Sequence, residues 1–171
     1  MELMDKYGAD VLRWYFLSSM AMGESKSVIP KEIEEKQKGF FGTLGNCLRF
    51  YELYEESAKR KAQNEKKNFD VLSFSFLDLH LLDKWILSRL NNLIKEVTDN
   101  LDGYDVTPSA KAIEKFGTED FSNWWLRRSR KRKEALGLLR FLLLEISKII
   151  APFAPFSAED IHKILAKSLK L

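Results

Sequence analysis

Residues 134–151, EALGLLRFLLLEISKIIA, are apolar almost all the way round a helix, because Leu136, Leu138, Leu139, Phe141, Leu142, Leu143, Leu144, Ile146, Ile149 and Ile150 leave little of its surface for water. A helix of that composition has to be enclosed by others, so the segment predicts a bundle with this helix in its middle. No apolar run approaches the ~18 residues of a membrane span, so protein has to supply the enclosure. Downstream, Pro152 and Pro155 of APFAPF predict an extended turn. Ser157 then reads as the cap of a last helix, with Glu159 and Asp160 in its first turn and Ile161, Ile164, Leu165 and Leu169 docking it.

Upstream, residues 78–101 repeat Leu82, Ile86, Leu90, Leu93, Ile94, Val97 and Leu101 on one face, and Asp102-Gly103 closes that helix. Thr107-Pro108 opens a short helix by cap and N1 proline, and Gly117 is read as its stop. Residues 31–57 form a long amphipathic helix with Gln37, Phe40, Phe41, Leu44, Cys47, Leu48 and Tyr51 inward. Its glycines, Gly39, Gly42 and Gly45, each cost up to ~1 kcal/mol of helix propensity, which close approach of a neighbouring helix would offset. Residues 58–68, AKRKAQNEKKN, lack apolar periodicity and read as a hairpin tip or a frayed extension, and residues 69–76, FDVLSFSF, as an extended connector. Residues 1–20 read as one helix with Asp5 as cap, and AMGESKSVIP (21–30) as a connector. The fold class expected is therefore all-α, an antiparallel helical bundle, with residues 1–30 as a leading element and 31–171 as the main body.

A chain of 171 residues buries roughly 70% of the surface its unfolded form exposes, enough for one core. Its 45% hydrophobic, 12% aromatic and 31% charged residues exclude general disorder. Cys47 is the only cysteine, so no internal disulfide can form. It reads as a small buried hydrophobe. His80 and His162 are far apart and make no zinc spacing with it, so no protein-held metal is expected. No Ser/His/Asp, Cys/His or clustered-carboxylate arrangement points to catalysis. The N-terminus is acidic where a secretory signal would be positive, so a cytoplasmic location is expected.

Charge is concentrated in one place. The segment TEDFSNWWLRRSRKRK (118–133) begins as a helix, with Thr118 as cap and Glu119 and Asp120 in the first turn. Phe121, Trp124 and Trp125 make an apolar face, and Trp125 is assigned to the core. Every residue from Arg127 to Lys133 except Ser129 is basic. On a helix such a run wraps all sides. Arg128 and Arg132 continue the apolar line, so they must snorkel, meet acidic partners or bind an outside anion. Arg127, Arg130 and Lys131 follow Trp124 on a neighbouring face suited to a polyanion backbone. A solvated helix end complementing its dipole would account for a generic basic run, while arginines beside two tryptophans favour phosphate recognition. From the residues alone both readings stand, as does an adaptor whose basic helix binds an acidic protein.

Four stretches, KYGADVLRWYF, DKWILSRLNNLIKEVTDNLDGYDVTPSAKAIEKF, DFSNWWLRRSRKRK and SKIIAPFAPFSAEDI, resemble in order the C-terminal half of isoleucyl-tRNA synthetases. SNWWLRRSR separates this resemblance from the sister valyl and leucyl enzymes, whose equivalent module is the alternative. The resemblance implies a stem-contact element in residues 1–30 and an anticodon-binding bundle in 31–171. It carries Asn123, Trp124, Arg127, Arg128, Arg130 and Arg132 over as residues facing tRNA, and Lys131 joins them by position. Trp124 is the candidate for stacking an unpaired base, although a tryptophan at this spacing is more often core. Neither a HIGH-like nor a KMSKS-like signature is present, so the chain resembles a fragment that lacks catalytic residues and binds no cofactor. ATP and Mg belong to the parent enzyme. The partners implied are isoleucine-accepting tRNA and the parent's catalytic domain, with no membrane, and a monomer is expected.

Overall fold

The computed structural model describes residues 2–20, 23, 25, 27–65, 79–132 and 134–167. Among them every regular element is helical, as expected of an all-α bundle. The order is α1 (Glu2–Tyr7), α2 (Ala9–Ser19), α3 (Pro30–Lys36), a π-helical turn Gln37–Phe41, α4 (Gly42–Glu65), α5 (Leu81–Asp102), α6 (Val106–Lys115), a π-helical stretch Phe116–Leu126, α7 (Arg127–Ser129), α8 (Ala135–Ile150) and α9 (Pro155–Lys167). Helix α8 is the central one. Its Leu138, Leu139, Leu142, Leu143, Ile146 and Ile150 are all buried, and it packs against α4, α5 and α9.

Expected boundaries shift wherever a distant residue supplies what local sequence does not. Gly8, at φ 83°, splits the first helix into α1 and α2, so Asp5 lies inside α1 and caps nothing. Trp14 of α2 is fully buried and stacks on Phe40 at 4.3 Å, which places α2 in the same core as α4 and α8. Pro30 takes the N1 position of α3, where its missing N–H costs nothing. The backbone then stays helical through the π turn into α4. Helix α4 continues to Glu65, so residues 58–65 extend the helix. The connector expected over 69–76 lies outside the described residues, as does Lys133.

No neighbour lies within 4 Å of where a Cβ would sit on Gly39 or Gly45, and Gly42 meets only the Gln37 carbonyl oxygen at 3.5 Å, so the expected close approach is absent there. It occurs at Gly117. A Cβ on that residue would meet Phe40 Cε2 at 2.9 Å and Leu44 Cδ2 at 3.9 Å. Gly117 therefore lets two helices touch, and the helix begun at Val106 does not stop there. It runs through the π-helical stretch to Ser129. Thr118 is correspondingly no cap, since its Oγ1 donates to the Glu114 carbonyl at 2.8 Å, one turn back.

Helix α5 starts at His80, whose Nδ1 accepts from the Leu82 N–H at 3.2 Å, and its exit passes Gly103 to Tyr104 at φ 61°. The start of α9 differs more. Pro155 is its first residue, and the cap comes from α2, where Asp10 Oδ2 accepts from the Ser157 N–H at 2.5 Å. Three residues on, Arg13 donates to the carbonyls of Phe153 and Pro152, each at 3.2 Å. Asp10 on α2 thus caps the positive end of α9, and Arg13 holds carbonyls of the turn that joins α8 to it.

Candidate nucleic-acid interface

The basic segment owes its shape to a carboxylate on another helix. Asp83 lies in the first turn of α5 and is buried, with one wall made by the π-helical stretch. Its Oδ1 accepts from Trp125 Nε1 at 2.8 Å. Arg132 closes a bidentate pair on it, Nη1 to Oδ2 at 2.7 Å and Nη2 to Oδ1 at 2.6 Å, and Nη2 also donates to Ser129 Oγ at 2.6 Å. Burial alone would raise the Asp83 carboxyl. The hydrogen bonds from Arg132 and Trp125, with the arginine's charge, outweigh it and hold the group below the usual carboxylate range. The same pair raises Arg132.

To reach Asp83, the chain leaves the helix at Ser129, turns through Arg130 and Lys131, and sends Arg132 inward. The basic run therefore does not wrap a helix. Arg132 thus meets an acidic partner, one of the fates its place on the apolar line allowed, with its part-buried guanidinium paired to Asp83. Trp125 is fully buried and anchors the segment, as expected of a core residue.

The remaining predicted residues face outward. Asn123, Arg127, Arg128, Arg130 and Lys131 are exposed, and Trp124 is 48% exposed. Arg127, Arg128, Arg130 and Lys131 have no acidic partner among the described residues. Arg128 lies over Trp124 with its Cζ 3.5 Å from the ring centroid, and its Nη1 donates to the Trp124 carbonyl at 3.2 Å. Arg130 leans the other way, 5.7 Å above Phe50 on α4.

Two aromatic groups beside this segment are not among the residues that the sequence singles out. Trp85 of α5 stands 6.3 Å from Trp124 at a tilt of 53°. On α4, Phe50 stacks on Tyr54 at 4.2 Å, beside exposed Leu53. A signal for the second group exists, since Phe50, Leu53 and Tyr54 form an i, i+3, i+4 stripe distinct from the buried stripe of Cys47, Leu48 and Tyr51. Four unneutralised cations between two partly exposed aromatic surfaces can take phosphates and the faces of unpaired bases together. Cys47 has no such use. Burial pushes its thiol up to about 11 against the opposing effects of Ser122 and Arg130, so it stays a protonated core residue. Among the described residues no group of three His, Cys, Asp or Glu could hold a metal ion, and no helix is long and apolar enough to cross a membrane.

Comparison with known proteins bears on the same region. The family model for the anticodon-binding domain of tRNA ligase matches residues 83–170, from Asp83 through the basic segment to α9, and leaves Phe50 and Tyr54 before its start. The chain is 36% identical over 179 aligned residues to an isoleucine–tRNA ligase of Clostridium tetani, covering 98% of this chain and 16% of that protein. It is 39% identical to isoleucine–tRNA ligase 2 of Bacillus cereus over 95% of this chain and 16% of the relative. With the isoleucine–tRNA ligase of Porphyromonas gingivalis the identity is 35%, over 96% of this chain and 15% of the other. The chain thus spans about one sixth of the length of these curated relatives.

Proposed function

Because the chain belongs to the family of anticodon-binding domains of tRNA ligases, we propose that it binds the anticodon arm of isoleucine-accepting tRNA and positions that tRNA for aminoacylation by a catalytic domain of the same parent enzyme. The observation carrying this reading is the set of four exposed cations, Arg127, Arg128, Arg130 and Lys131, that lack acidic partners among the described residues and flank half-exposed Trp124. Their charges take phosphates, Trp124 with the Phe50–Tyr54 pair takes base faces, and Asn123 supplies a neutral donor and acceptor beside them. Isoleucine specificity is suggested by the three relatives described above, which bear that name. The chemistry, with its ATP and Mg, falls to the parent in the cytoplasm, and the module acts as a monomer without a cofactor of its own.

A titration of the chain against isoleucine tRNA and a non-cognate tRNA at two salt concentrations tests this. Cognate preference with a steep salt slope supports a discriminating anticodon module. Equal, salt-sensitive binding leaves a docking surface and moves specificity to the whole enzyme. Binding of an acidic protein in place of either tRNA would replace the reading with the adaptor.

A further inference from the structure

We infer that Arg128 determines specificity at the Trp124 surface: it occupies the place of a stacked base and leaves only for RNA that offers an unpaired base and a phosphate together. This rests on the RNA-binding reading above. The guanidinium sits 3.5 Å from the indole centroid, the separation a stacked nucleobase would take. Trp124 is open enough to be reached, and the nearby Trp85 ring stands 6.3 Å from it at a tilt of 53°, not stacked on it. A base can stack on Trp124 there only by displacing Arg128.

The contacts holding Arg128 are weak and replaceable. Besides the indole it has one exposed hydrogen bond, to the Trp124 carbonyl, and no acidic partner among the described residues. Arg127, Arg130 and Lys131 crowd the same few residues with like charge, which favours moving the guanidinium toward an anion. An exposed cation–π contact is weaker than a base–aromatic stack. The exchange nevertheless strips the arginine of its seat, so it is favourable when a phosphate takes the guanidinium bidentately. A duplex presents phosphates but keeps its bases inside, and leaves Arg128 where it is. A partner with acidic side chains and no base has nothing to put on the indole.

The test is a binding titration of the full chain, at a series of salt concentrations, with a hairpin RNA that has an unpaired loop and with the blunt duplex of its stem. Wild type should show a steeper salt slope on the hairpin than on the duplex, by about 0.7 for one additional single-strand phosphate. Arg128→Ala should abolish that excess while leaving the duplex slope unchanged. Trp124→Ala should lower hairpin affinity by about fivefold or more, the scale of one base stack, with little effect on the duplex. Thermal melts of each variant confirm that these exposed substitutions leave the fold intact. An equal slope change on hairpin and duplex would make Arg128 an ordinary backbone contact and overturn the exchange. No slope change on either RNA would mean that the guanidinium never leaves the indole, and would overturn it as well. Wild type binding neither RNA would bring down the RNA-binding reading itself, and the exchange with it.

Discussion

Asp83 does more than its exposure suggests, because one carboxylate fixes both ends of the basic segment. It accepts from Trp125 on the entering side and from Arg132 on the leaving side. Removing it leaves an arginine and an indole N–H with no buried acceptor, so Asp83→Ala should destabilise the fold by about 3 to 5 kcal/mol in a denaturant titration, the usual cost of breaking a buried pair from one side. The pH dependence follows from the lowered carboxyl. A group whose folded value lies below its unfolded one contributes stability in full above the unfolded value, ~3.9 for aspartate, and loses it as pH falls through the folded value. Wild type should therefore lose stability in acid more steeply than Asp83→Asn, and parallel curves would show that the pair contributes nothing. At this scale the sequence was half legible. Helical spacing placed Trp125 in the core and Arg127 and Arg130 on its outside, and it named an acidic partner as one fate of Arg132. It could not name Asp83, which lies 49 residues away and is joined to Arg132 only by tertiary folding.

Elements were legible by existence and poorly by boundary. Every long apolar repeat became a helix, whereas starts and stops depended on residues from elsewhere. Gly117 reads locally as a stop, yet its role is to admit the Phe40 ring, and the helix passes through it in a π-helical stretch. A trace of that stretch was present. Phe116, Phe121 and Leu126 are all buried at a spacing of five, the interval of i→i+5 winding. Gly117→Ala should cost about 1 to 3 kcal/mol through overpacking, although alanine is the better helix former. An unchanged or raised melting temperature would show that Phe40 moves aside freely. The start of α9 is a second case, since Asp10 caps it from 147 residues away while Ser157 supplies its N–H. Asp10→Ala should lower stability by about 1 kcal/mol, as the loss of a helix cap does, whereas Ser157→Ala should leave the cap in place. Equal effects of the two would return the cap to Ser157.

For the whole molecule, a net charge of +3 says little, because the chain sorts its charge. Acidic side chains neutralise cations along the flanks, as in Lys36–Glu114 and Arg89–Asp120, and Asp83 takes Arg132. Four cations without an acidic partner among the described residues stand close together from Arg127 to Lys131, next to the exposed indole. Stability and binding should therefore separate by residue although the side chains are neighbours. Arg127→Ala with Arg130→Ala removes two exposed cations, and with Arg130 a cation–π contact at 5.7 Å over Phe50. A contact of that kind contributes about 0.5 to 1 kcal/mol at an exposed site, so the double variant should melt within a few degrees of wild type. Its affinity for tRNA should fall, and its salt slope should drop by about 0.9 for each stem phosphate it no longer neutralises. Arg132→Ala should do the reverse, unfolding the protein more easily because Asp83 is left buried without its partner. Were the double variant to melt like Arg132→Ala, Arg127 and Arg130 would belong to the scaffold, and the surface assigned to tRNA would have to be sought on another face.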